Sequence, residues 1–402
     1  MNIGNGFVEV VRFAARGDGV TMDNRFVPGA VPGDMVGPGG EIEPGPDHLA
    51  PVCRHYGACG GCQMQHVSDQ MIAKFAAGRV LEPLARLGIA PQAVLPVHIS
   101  PSGARRRVAM RATRTGGQVR LGFNAQGAHS LVNMDECPVM HPTLFALVGP
   151  LRRLLGPYLA ERSAIGITMT LTDGGVDLLL ANLQANRLPV IEGLSRFADE
   201  HRLARLSLEG PTGLETLVSG ADPAVRMGGI SVTLPPAAFL QATADGEAAL
   251  VGAVADIAGS ARAVVDLFAG SGTFALPLSR FAAVVAADAA GPAIRALEQA
   301  ARRAGRPLTV LHRDLFRKPL SARELAGFDA VVIDPPRAGA AAQTEQIAAS
   351  RVPVVAAVSC NPATFARDAQ LLVGGGYRLQ RLWPVAQFRW STHVELVAEF
   401  RR

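Results

Sequence analysis

Residues 264–274 read VVDLFAGSGTF, and this stretch decides the fold. A short apolar run ends at Leu267, a glycine-rich turn follows, and an alanine-rich helical pattern begins beyond it. Gly270 and Gly272 let the backbone approach a ligand closely. Further strand-type runs lie at 283–288, 308–312, 330–334 and 353–359, with helical stretches at 274–281, 292–304, 340–349 and 363–372 between them. Such alternation predicts an α/β domain over residues 241–402, a doubly wound, largely parallel sheet with helices on both faces. Ligands of open α/β sheets bind at the carboxyl ends of the strands. Asp288 ends the second strand, where a carboxylate meets ribose hydroxyls, and Asp314 follows the third, facing an adenine edge. The turn lacks the full G-x-G-x-x-G spacing, which argues against a dinucleotide.

The 402 residues, 49% hydrophobic and 18% charged, describe a packed chain of two or three domains. A net charge of +5, nearly all of it arginine, favours an acidic partner such as nucleic acid. No apolar run is long enough for a transmembrane helix, and the N-terminus lacks a secretory pattern, so no membrane association and a cytoplasmic location are expected. No obligate protein partner is evident. In that compartment cysteines serve metals or catalysis more often than disulfides.

Upstream, residues 1–45 read as a small β unit of short runs broken by Gly and Pro. Residues 46–240 form a β-rich central domain, expected to be antiparallel. It has a helical pattern at 71–90, strands at 105–113, 118–125 and 129–135, a helix at 144–159, and a hairpin around Asp173-Gly174-Gly175. The five cysteines divide into four plus one. Cys53, Cys59 and Cys62 form C-x5-C-x2-C, and Cys137 follows in NMDECPV. All-cysteine ligation with irregular spacing suits an iron–sulfur cluster, with structural zinc as the alternative. Four thiols complete such a site, which leaves His55 and His66 as bystanders.

Cys360 stands alone in VSCNPATFARD, just past a predicted strand and before a helix that begins near Pro362. A helix N-terminus favours the thiolate. Glu395, inside the apolar HVELVAEF, is expected to have a raised pKa suited to proton abstraction. Asp334-Pro335-Pro336-Arg337 ends the fourth strand. It is similar to the [DN]-P-P-[YF] of amino-group methyltransferases, but Arg337 replaces the stacking aromatic. The D-L-F-A-G-S-G turn with Asp288 and Asp314 resembles the S-adenosylmethionine site of class I methyltransferases. Thiolate, carboxylate and such a methyl donor together suit uracil, whose carbon 5 becomes nucleophilic once a thiolate has added at carbon 6.

With these motifs in order, the chain resembles the uracil-5-methyltransferase family of RNA enzymes, in particular the branch that methylates 23S ribosomal RNA and carries a [4Fe-4S] cluster. The likeness covers a short TRAM-like, OB-like β unit, the four cysteines, Phe239-Leu240-Gln241, the 264–274 turn, DPPR, SCNP and the final HVE. It implies a class I, S-adenosylmethionine-dependent methyltransferase domain of Rossmann-like architecture. It implies Cys360 as nucleophile and Glu395 as proton acceptor, with Gln241, Phe268, Thr273, Asp288 and Asp334 lining the methyl-donor site. Cys53, Cys59, Cys62 and Cys137 would hold the cluster. A transfer RNA substrate, an amino-group methyltransferase using DPPR, and a non-catalytic iron–sulfur RNA-binding protein are the competing readings. For RNA contacts, the run Arg105-Arg106-Arg107 with Arg111 and Arg114 forms a basic patch, or else a solvated sheet face. Tyr56, Phe388 and Trp390 are candidates to stack on a flipped base.

Overall fold

The computed structural model describes residues 6–211 and 213–402. Five short strands, β1 (Val8–Phe13), β2 (Gly19–Thr21), β3 (Phe26–Val27), β4 (Met35–Val36) and β5 (Ile42–Glu43), form an antiparallel sheet in the order β3-β2-β1-β4-β5. Its own buried core is Val10, Ala30 and Val36, too little apolar area to stabilise a fold alone. Fully buried Asp34 adds polar ties by accepting from the Val31 and Gly45 amides and facing His48. A second apolar cluster, including Val31, Met64, Phe75 and Trp390, joins this unit to the rest of the chain.

Helix α1 (Asp69–Ala85) starts at Ser68, whose hydroxyl accepts from the Met71 amide and so satisfies one of the free N–H groups of the first turn. Its buried stripe of Ala76, Val80 and Leu84 packs into one core of the C-terminal sheet. Strands β6 (Ala93–Val94) and β7 (His98–Ile99) then pair with a late strand of that sheet. Residues 69–99 therefore pack with the C-terminal sheet, not with the central strands.

The central sheet contains β8 (Arg107–Thr115), β9 (Gln118–Gly122), β10 (Ala164–Thr172), β11 (Gly175–Ala181), β12 (Arg205–Gly210) and β13 (Gly213–Ser219), ordered β13-β12-β11-β10-β8-β9. Helices α2 (Pro142–Phe145), α3 (Val148–Leu155) and α4 (Leu188–Glu200) are its insertions, and residues from α2, α3 and α4 share its buried core. Three local expectations are corrected. The sheet is not wholly antiparallel, because α4 carries the chain across from β11 to a parallel β12. Residues 129–135 are not a strand: the Asn133 side chain takes the Leu121 amide and interrupts the ladder, leaving one isolated bridge at Leu131. The helix expected at 144–159 is two helices, with Pro150 in the first turn of α3, where its missing N–H is tolerated. Arg205 and Asp177 form a buried bidentate pair at 2.9 and 2.7 Å, and the Leu234 carbonyl takes a further guanidinium N–H at 2.9 Å.

A hairpin, β14 (Ala224–Met227) and β15 (Ile230–Thr233), leads into α5 (Ala244–Ala258), capped by Thr243. The remaining order is β16 (Ala263–Leu267), α6 (Ala275–Leu278), β17 (Ala283–Asp288), α7 (Gly291–Arg303), β18 (Leu308–His312), α8 (Ala322–Leu325), β19 (Ala330–Ile333), α9 (Ala341–Ala349), β20 (Val354–Ser359), α10 (Pro362–Gly374), β21 (Arg378–Ala386) and β22 (Glu395–Arg401). The sheet runs β18-β17-β16-β19-β20-β22-β21-β6, parallel from β18 to β20, with β22 antiparallel to β20. Buried cores on its two faces match the expected doubly wound architecture. The chain moves outward from β16 to β18 and returns on the other side at β19. The loop after β16 thus sits at the switch point where such sheets bind ligands. No helix among the described residues is long and apolar enough to cross a membrane.

Candidate active site

Backbone conformation shapes the loop after β16. Phe268 takes a left-handed φ of 65°, and Gly270 and Gly272 follow at 54° and 102°. A Cβ at Gly272 would stand 2.5 Å from a Leu297 methyl of α7, so glycine is what lets this helix close on the turn. Asp288 accepts from the Gly270 amide at 2.8 Å and from the Ala290 amide at 2.6 Å. The carboxylate expected at a ribose therefore also holds the turn. Asp314 likewise organises its own loop, accepting from the amides of Phe316 and Arg317. That loop places Phe316 with its ring 5.3 Å from Phe268. Thr273 lies partly buried at the end of the turn.

Cys360 follows β20 directly. Ser359 pairs with Leu396, so the next step along both strands sets Cys360 against Glu395. Asn361 caps α10 by accepting from the Ala363 amide. Its side-chain amide also donates to the Arg337 carbonyl at 2.9 Å, and the Thr364 hydroxyl donates to the same oxygen at 3.2 Å. The DPPR loop is thereby fastened to the start of α10. The Arg337 guanidinium lies 3.4 Å from the His393 ring nitrogen.

Electrostatics here run against one expectation. Burial, and then the carboxylates of Glu395 and Asp334, push the Cys360 thiol up to about 11, against the smaller pull of Arg337. The thiol stands just outside α10, beside two carboxylates that disfavour its anion. Burial raises Glu395 to about 7, opposed by Gln387 and Arg337. Asp334 is held well above the carboxylate range by burial and by Glu395 and Asp266. Asp266, fully buried with only the Ala275 amide approaching it, is raised to about 8. Three acids and a thiol thus lie close together, with Arg337 as the nearby positive charge.

Gln387 is a site residue that the sequence did not point to. It is buried, and its amide donates to the Gln241 side-chain oxygen at 2.7 Å. Gln241 is thereby linked to the surroundings of Glu395. No local pattern marks Gln387, because its partners are distant in sequence.

The cysteine quartet lines a cavity of about 360 Å³, together with Arg105, Phe388 and His393. The four thiols therefore face the same space as the 388–393 loop. The amides of Gln63 and Met64 donate to the Trp390 carbonyl at 2.8 and 2.9 Å, tying that loop to the cysteine segment. Trp390 itself is 7% exposed and belongs to the core, which removes it as a stacking candidate. All four cysteines are free. Burial raises each thiol, Cys62 to about 11, and the four repel one another as anions. Deprotonated thiols of this kind are stabilised by metal cations. Among the described residues, no three His, Cys, Asp or Glu side chains gather on one metal-ion position.

The fold is that of S-adenosylmethionine-dependent methyltransferases, and relatives of this chain carry that activity. The family model for tRNA (uracil-5-)-methyltransferase matches residues 313–399. An uncharacterized RNA methyltransferase of Zymomonas mobilis, ZMO1179, is 43% identical over 98% of this chain and 99% of its own. The 23S rRNA (uracil(1939)-C(5))-methyltransferase RlmD of Edwardsiella ictaluri is 34% identical, covering 89% of this chain and 83% of that protein. The tRNA (uracil-54, C5)-methyltransferase of Pyrococcus abyssi, solved with S-adenosyl-L-homocysteine, shares the fold. Its TM-score is 0.73 at 20% identity, over 98% of this chain and 100% of that one. The chain belongs to the RNA uracil-5-methyltransferase family.

Proposed function

We propose that this protein transfers the methyl group of S-adenosylmethionine to carbon 5 of a uridine in 23S ribosomal RNA, through a covalent bond between Cys360 and uracil carbon 6. The observation that carries this reading is the placement of Cys360 against Glu395 across β20 and β22. Cys360 loses its proton to solvent, and the thiolate adds to carbon 6. The electrons of the 5,6 double bond move toward the carbon 4 oxygen. Carbon 5 then attacks the methyl group, whose bond to the sulfonium breaks to leave a neutral thioether. Glu395 removes the carbon 5 proton, the double bond reforms, and the thiolate departs. The donor's positive sulfonium offsets Glu395 and Asp334 and so eases formation of the thiolate. Gln241, Phe268, Gly270, Gly272, Thr273, Asp288, Asp314 and Asp334 are the residues proposed to hold the donor, with the Phe268–Phe316 pair beside the adenine.

Cys53, Cys59, Cys62 and Cys137 are proposed to hold a [4Fe-4S] cluster. A single tetrahedral zinc draws its thiolates onto one ion at about 2.3 Å each, whereas a cluster spreads them over several irons. Structural zinc sites tend to use two paired C-x2-C knuckles, whereas this chain has one C-x2-C with a remote fourth cysteine on the same cavity, a spacing that suits the cluster. Such a group would staple the 53–62 loop to Cys137, and no step of methyl transfer passes through it.

The ribosomal assignment rests on the 34% identity to a 23S enzyme. Radiolabelled methyl transfer to purified ribosomal and transfer RNA tests it. Incorporation at carbon 5 of a 23S uridine is expected, and incorporation into transfer RNA alone would move the assignment to that substrate.

A further inference from the structure

We propose that the outward face of the β8–β9 hairpin is a phosphate-binding groove that holds the single-stranded RNA flanking the target uridine. This rests on the RNA-methyltransferase reading. Three cavities lie in series. The first is the cysteine cavity, which also reaches Arg337 and His393 of the catalytic loops. The second, about 600 Å³, shares Gly60, Gly61, Gln63 and Ala109 with the first and continues to Arg111 and His129. The third, about 350 Å³, shares Arg111, Asn124 and His129 with the second and ends at Arg120 and Arg162. A continuous track thus runs from the cysteine cavity, beside the loops that carry Arg337 and His393, out along one sheet face.

Strand register explains the charge along it. Thr113 stands opposite Arg120 and Arg111 opposite Gly122, which puts Arg111 and Arg120 on one face as diagonal neighbours, about 7–8 Å apart at the backbone. The buried inward residues Met110, Ala112 and Leu121 alternate with them. No carboxylate lines the second or third cavity. Among the described residues, neither a carboxylate nor a carbonyl takes the guanidinium of Arg111, Arg120 or Arg162. Arg114, by contrast, is committed to the Gly156 and Leu159 carbonyls. Arg106 is likewise committed to Glu247, so from the basic run it is Arg111 that joins Arg120 and Arg162 along the groove. Three free guanidiniums, Arg111 on the second and third cavities and Arg120 and Arg162 on the third, fit a phosphate chain laid along them. A uridine swung out of its stack leaves its neighbours splayed, which suits a groove better than a helix-wide cleft.

The test compares wild type with R111A/R120A/R162A and R111K/R120K/R162K, using a uridine-containing 23S fragment with long flanks and one trimmed close to the uridine. Binding is measured by filter retention at several salt concentrations, and methyl transfer separately. For the alanine variant on the long fragment, Kd and KM should rise about tenfold or more. kcat at saturating RNA should stay near wild type, and the slope of log K against log salt should fall by about 2, at roughly 0.7 per phosphate. The lysine variant should recover most of the affinity. On the trimmed fragment the alanine variant and wild type should bind alike. Unchanged Kd and slope, a loss confined to kcat, or equal competition by fully paired duplex would each overturn the groove. A wild type that binds RNA but methylates none would refute the catalytic reading and leave the groove to be judged on the binding slopes.

Discussion

Cys360 and Glu395 face each other one step beyond the last β20–β22 pair, Ser359 with Leu396. The proposed nucleophile and base thus stand 35 residues apart in sequence (360 to 395) but at adjacent positions in the sheet. Burial and then the Glu395 and Asp334 carboxylates raise the Cys360 thiol, while burial raises Glu395 against the opposing pull of Gln387 and Arg337.

Glu395→Gln should stop the reaction after methyl transfer. The glutamine cannot accept the carbon 5 proton, so turnover should fall by about 10²–10⁴, and a methylated RNA–protein adduct should accumulate with ordinary uridine. Because Glu395 is held at about 7, it is mostly protonated below neutral pH and free to act as a base above it. The wild-type single-turnover rate should therefore rise as pH increases through 7. Denaturing gels and a pH series check both expectations, and a rate that falls from pH 6 to 8 would contradict the base assignment.

Asp266 should make the fold lose stability with rising pH. Its folded pKa, about 8, lies above the ordinary value of 3.8. Its neutral form therefore favours the folded state at low pH, and that advantage is lost as pH rises toward 8. One retained proton corresponds to about 1.4 kcal/mol per pH unit over that window. Asp266→Asn should flatten the Tm profile between pH 5 and 8, and an unchanged slope would show that the carboxyl is already ionised.

Replacing Cys62 with serine should remove most bound iron and the visible absorption that goes with it, and lower Tm, since the loop at 53–62 loses its tie to Cys137. Cys360→Ser should leave iron content unchanged. Iron analysis of anaerobically purified protein distinguishes the two, and one tightly bound zinc per chain in the wild type would replace the cluster reading.

Arg205→Ala should destabilise the central sheet by about 3–5 kcal/mol, because it leaves Asp177 buried and unpaired. The double variant R205M/D177L should recover much of that loss. Urea unfolding measures both, and a cost below about 1 kcal/mol would mean that water reaches the pair.

The parts of this molecule written in local patterns were legible. Turn chemistry and alternating periods marked the β16 loop, the strands on either side of it and the hairpin at Asp173-Gly174. Cys360 stood out because it follows a strand end. What could not be read depends on contacts between distant segments. Strands β6 and β7 are two residues each and exist only because β21 offers a ladder. Trp390 reads as a loop aromatic, yet Val31, Met64 and Phe75 enclose it. A helix start beside Cys360 is visible in the sequence, while its burial and the approach of Glu395 and Asp334, which raise the thiol, are not.

The most direct test is incubation of the protein and S-adenosylmethionine with 23S RNA carrying 5-fluorouridine, followed by mass spectrometry of the digested complex. Fluorine cannot leave as a proton does, so the reaction should halt with a methylated 5-fluorouracil bonded to the peptide that contains Cys360, and Cys360→Ala should give none. No adduct while ordinary uridine is methylated normally, or an adduct on any other residue, would contradict the proposed chemistry.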